Sequence, residues 1–152
     1  MSLRFKYQNL KSRKIVLLCL LITVCGSLSC DIPILEKTEC RESRQTVKEF
    51  YSFHFGNDMK FSPDNLRQRK RFLSAEFVKL LQNAPPENDV FTTNSTDYPK
   101  AFRIGGCEVA AADKTVFEVL LFWKDDARTE QRSINVEVAR QNDKWLINKI
   151  IN

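Results

Sequence analysis

The chain has 152 residues with 43% hydrophobic and 28% charged residues, which fits one ordinary globular domain and excludes disordered or collagen-like classes. Its net charge of +5 invites a nucleic-acid reading, but Arg4, Lys6, Lys11, Arg13 and Lys14 sit in an N-terminal stretch with no acid and equal the whole excess. The remainder is neutral and lacks the basic surplus that phosphate neutralisation requires, so no nucleic-acid partner is expected.

The N-terminal segment has three zones: basic residues up to Lys14, the apolar run "IVLLCLLITVC" from Ile15 to Cys25, and the small residues "GSLSC". That order predicts a signal peptide over residues 1–29. The alternative is a membrane span, but the uncharged stretch from Ile15 to Cys30 is shorter than the roughly 20 apolar residues a span needs. Ser27 and Ser29 suit ordinary cleavage before Cys30. "SLSC" also resembles a bacterial lipobox, with Ser27 where Leu is usual, which makes Cys30 the lipidation candidate and a lipid anchor the only membrane attachment. In a Gram-negative host, Asp31 would resemble an inner-membrane retention signal.

Cys19 and Cys25 leave with the leader, and the exported chain keeps Cys30, Cys40 and Cys107, an odd number for an oxidising compartment. Lipidation of Cys30 leaves Cys40 and Cys107 as the disulfide candidate, the alternative being two separate buried thiols.

Residues 30–41 read as a tether and 42–152 as a single α+β domain. Ser43 is the expected cap of a helix over "RQTVKEFYSFHF", whose Val47, Phe50, Tyr51 and His54 recur at helical spacing, and Gly56-Asn57 is expected to close it with a left-handed cap. Ser62-Pro63-Asp64 opens the next helical stretch, Leu66, Leu73, Phe77, Leu80 and Leu81 continue its stripe, Ser74 offers a second cap, and Pro85-Pro86 ends it. The basic cluster Arg67, Arg69, Lys70 and Arg71 reads as a solvated face. The loop "PENDVFTTNSTDYPKA" is long for a compact domain, and its Asn94-Ser95-Thr96 formally matches a glycosylation sequon. Four strand patterns follow: "FRIGGCEVAAA", "KTVFEVLLFWK", "QRSINVEVAR" and "KWLINKII". The second is apolar on both faces and should be central; two-residue turns at Ala112-Asp113 and Asn142-Asp143 imply hairpins. Helices followed by an antiparallel meander give an α+β layout, N-terminal helices on a curved four-stranded antiparallel sheet.

"TVKEFYSFHF", "RKRFLSAEFVKLL", "DVFTTNSTDYPKAFRIGGCEV", "VLLFW" and "WLINKI", in that order, resemble the bacterial family called domain of unknown function 3828. The resemblance spans about Glu42 to Ile151 and implies an exported protein or lipoprotein with a cone-like fold similar to nuclear transport factor 2. It supplies no catalytic residues. Some proteins of that shape are isomerases or hydratases with a pocket His or carboxylate beside a Tyr. The pocket candidates here are Tyr51, His54, Glu118 and Trp123, each weighed against a purely structural role: core packing for Tyr51 and His54, pairing of Glu118 with Arg103 or Arg132. With one histidine, no metal site or cofactor is expected. No nucleophile elbow or phosphate-cradling loop is present, and a Cys40–Cys107 bridge would remove the thiolates. The expectation is a non-catalytic domain of the cell envelope that binds a small apolar ligand or a protein partner, with a small exported enzyme as the alternative.

Overall fold

The computed structural model describes residues 36–151, so the leader, Cys30 and the first part of the tether lie outside the described residues. Three helices, α1 (Thr38–Phe55), α2 (Pro63–Arg69) and α3 (Ala75–Asn83), precede strands β1 (Ala101–Ala111), β2 (Lys114–Lys124), β3 (Thr129–Gln141) and β4 (Lys144–Ile151). A 3-10 turn at Lys70–Phe72 links α2 to α3. The strands pair antiparallel in the order β1-β2-β3-β4, an open sheet of the expected α+β class.

Helix α1 starts at Thr38, inside the stretch expected to be tether. Ser43 is not its cap. Its hydroxyl donates to the Glu39 carbonyl at 2.6 Å, a bond back along an already formed turn, and meets Thr115 Oγ1 of β2 at 2.9 Å. The apolar stripe is as expected, with Val47, Phe50 and Tyr51 fully buried beside His54. Gly56 ends the helix, but at φ −80° it stays right-handed; its amide bonds to the Ser52 carbonyl, so no left-handed cap forms.

Ser62 and Ser74 both cap as expected: Ser62 Oγ accepts from the Asn65 amide and Ser74 Oγ from the Phe77 amide, each at 3.1 Å. The Ser74 hydroxyl also donates to Asn148 Oδ1 at 2.8 Å, and its amide donates to the Ile147 carbonyl at 2.9 Å. One serine thus starts α3 and ties it to the β4 edge. Ser74→Ala should destabilise the fold by about 1–2 kcal/mol, combining a lost cap with a lost cross-element bond; urea unfolding checks this.

Strand β2 is central, and its odd residues Phe117, Val119, Leu121 and Trp123 are buried under the helices with Ile134, Val136 and Val138 of β3. Its even residues look outward. Gln141 pairs with Lys144 across a two-residue turn in which Asn142 and Asp143 have φ of 47° and 61°, the geometry a tight hairpin demands. In β1 the register slips between Ile104 and Cys107, so the inward positions change from Phe102 and Ile104 to Cys107 and Val109. Gly105-Gly106 makes this bulge. A Cβ at Gly105 would lie 3.1 Å from the Glu118 backbone oxygen and 2.9 Å from its carboxylate. The bulge turns Cys107 inward, and it bridges to Cys40 of α1 with Cα atoms 5.9 Å apart.

Candidate functional site

The four pocket candidates do not share a pocket. Tyr51 and His54 are fully buried on α1, Trp123 is 1% exposed in the core, and Glu118 is an exposed residue on the outer face of β2. Glu118 pairs with neither Arg103 nor Arg132. Arg132 donates to Glu130 at 2.5 Å and lies over the Trp123 ring, on the opposite face. The Trp123 indole N–H donates to the Asp97 carbonyl at 3.0 Å and the Tyr51 hydroxyl to the Phe91 carbonyl at 2.8 Å, so both polar tips fasten the 84–100 loop.

His54 is the middle of a buried chain. Arg69 Nε, a permanent donor, lies 2.8 Å from His54 Nδ1, which therefore accepts. The ring proton sits on Nε2 and is donated to Asp89 Oδ2 at 2.9 Å. Phe50 stacks on the imidazole at 5.6 Å and Phe91 meets it edge-on at 5.4 Å. Both nitrogens are occupied, leaving no lone pair for a substrate proton. The arrangement is a structural relay in which a neutral imidazole bridges a guanidinium to a carboxylate.

The relay has two members that the sequence reading missed. Arg69, expected on a solvated face, is 1% exposed, and its remaining donors reach the Asn65 and Asp58 carbonyls at 2.9 and 2.8 Å. Burial pulls its guanidinium below the ordinary arginine range, and the Asp89 and then the Asp58 charges offset part of that. Asp89 is fully buried and accepts from the Thr92 hydroxyl at 2.8 Å and the Phe91 amide at 3.0 Å as well as from His54. Each of these donors belongs to α1 or to Asp89's own loop.

Burial, and next the Asp89 charge, push the Tyr51 phenol well above its ordinary range. The folded chain then keeps a proton that the unfolded chain releases above about pH 10. Stability from this group is complete below that pH and declines as pH rises through it. Tyr98 is also raised, by burial first and then by the Asp89 and Asp58 charges, and adds to the decline. Denaturation midpoints should fall above about pH 10, and Tyr51→Phe should flatten the slope; equilibrium unfolding across an alkaline pH series measures both.

Among the described residues, open spaces lie on the surface. A groove of about 840 Å³ runs between α1, the 3-10 turn and β4, lined by residues including Lys48, Glu49, Arg71, Phe72, Lys144 and Trp145. A smaller pocket of about 280 Å³ lies between Phe61, Pro63, Leu66, Leu81 and Pro85. Glu36, Cys40 and Cys107 approach one another, but the two sulfurs are spent in the disulfide and offer no thiolate to a metal.

No protein-family model matches the chain, and no curated protein matches it in sequence. Among solved structures it is similar to a protein of unknown function from Bacteroides thetaiotaomicron VPI-5482, at 16% identity and a TM-score of 0.51, covering 74% of this chain and 90% of that one. At that identity the likeness shows a shared fold and nothing of activity.

Proposed function

We propose that this is an exported protein of the cell envelope, related to domain of unknown function 3828, that acts as a non-catalytic domain binding a protein partner through its surface. The observation that carries this reading is the filled interior: Phe50, Tyr51, Phe117 and Trp123 are each 0–1% exposed where a ligand cavity would lie, and His54 has both nitrogens engaged. This packing supports surface binding over a small apolar ligand in the interior or a His-based enzyme. The Cys40–Cys107 bridge supports an oxidising compartment, and the N-terminal basic-apolar-small pattern supports export, with Cys30 as either the first mature residue or a lipidated one.

Expression of the full chain in a Gram-negative host, followed by intact mass of the recovered protein, tests the reading. The expected product starts at Cys30, with or without lipid, and has lost two hydrogens to the bridge. A full-length polypeptide in the cytoplasm with all thiols free would overturn the exported setting.

A further inference from the structure

The groove between α1 and β4 carries a local charge excess in a body that is otherwise balanced. Lys48, Arg71 and Lys144 line it with one acid, Glu49, whose Oε1 is taken by the Gln45 amide at 2.7 Å. Among the described residues none of the three cations has a carboxylate within ion-pair distance.

Arg71 is the most informative of them. Its guanidinium lies 4.9 Å from the Phe53 ring centre and 4.6 Å from that of Phe72, so two phenyl faces hold it while its donors remain exposed. A planar cation fixed in advance and left without an anion is organised for a carboxylate, because little rotamer freedom is lost when the forked bond forms. The half-buried Trp145 adds an aromatic wall to the groove, held by its indole N–H on Glu42 Oε2 at 3.3 Å and by Thr46 Oγ1 donating to its carbonyl at 3.2 Å, with Arg140 over the ring at 6.0 Å as a further cation at the rim.

We infer that this groove binds an acidic, extended segment of a partner protein, with one carboxylate on Arg71, further acidic residues facing Lys48 and Lys144, and an apolar residue against Trp145. The inference rests on the surface-binding reading above and names the site and the chemistry of its partner. Charge complementarity argues for an acidic occupant. The cations line one shallow trough between α1 and β4, a shape that suits a single extended chain lying along it.

Random dodecapeptides displayed on phage and selected on the oxidised protein, recovered from expression of the full chain, provide the test. Selected peptides should be rich in Asp and Glu, and their binding, read by fluorescence anisotropy, should weaken with added salt. Arg71→Gln should reduce affinity about tenfold, and Arg71→Lys should reduce it less, because the charge survives while the stacked fork does not. Lys79→Gln, on α3 away from the groove, should leave affinity unchanged, and circular dichroism should show each variant folded.

Peptides without acidic enrichment, or binding indifferent to Arg71→Gln, would overturn the groove assignment while leaving a surface-binding role intact. Tighter association with phosphatidylglycerol vesicles than with any selected peptide would overturn it in favour of a membrane surface. Absence of any selected peptide would count against both the groove and the surface-binding role, whereas a reduced cytoplasmic full-length chain would remove only the exported setting.

Discussion

Asp89→Ala should destabilise the protein by about 3–5 kcal/mol, the range for removing one member of a buried charge pair. The carboxylate is fully buried and is the anion facing Arg69 across the neutral His54 ring. Without it the enclosed guanidinium keeps only the weaker charge of Asp58 to offset its burial, and the Thr92 hydroxyl and Phe91 amide lose their acceptor. The loss therefore reaches two places at once, the α1–α2 junction and the loop that crosses it. Replacing all three relay members by apolar residues of similar volume should be far less damaging than Asp89→Ala alone, since no orphaned charge remains. A thermodynamic cycle over Arg69→Met, His54→Leu and Asp89→Leu, read by urea unfolding, should give strongly non-additive values. Additive losses near 1 kcal/mol each would show that the relay is not a unit.

This relay also marks where sequence reading stopped. The regular elements were legible because each has its own period: the stripe through Val47, Phe50, Tyr51 and His54, and the alternation through Ile134, Val136 and Val138, are what burial selects. Arg69 was hidden inside "RQRKR", where a charge run reads as solvated. Its spacing of three from Leu66, buried on the same helix, was the available signal that one of those cations faces inward. Asp89 gave no such signal, because a loop residue has no period and its tertiary partner lies far along the chain. Glu118 misled for the opposite reason. Its sequence neighbours Phe117 and Val119 are core residues, but a strand alternates, so Glu118 shares the outer face with the partly buried Val116 and Phe122 and with Leu120, the one buried side chain among these outer neighbours. Apolar residues on both faces marked β2 as central, and the helices cover just one of those faces.

The bridge between Cys40 and Cys107 produces the other large expected effect. Replacing both cysteines by serine should lower stability by about 4 kcal/mol, the chain-entropy value for a loop closed across a separation of 67 residues. The loop is long because it encloses α1, α2, α3 and the whole 84–100 segment before returning to β1. Its closure is also the reason the Gly105-Gly106 bulge matters: without the extra residue, Cys107 would lie on the outer face with Arg103, turned away from Cys40. Gly105→Val should therefore do more than crowd the Glu118 backbone. It should slow formation of the bridge during oxidative refolding, because the side chain resists the bulge that aims the thiol. Two measurements separate the effects. Urea unfolding with and without reductant gives the equilibrium value, and reductant should bring the wild type to the level of the double serine variant. Thiol-trapping during refolding gives the rate. A reductant-independent midpoint would show that the bridge adds nothing, and unchanged trapping kinetics in Gly105→Val would show that the bulge does not direct it.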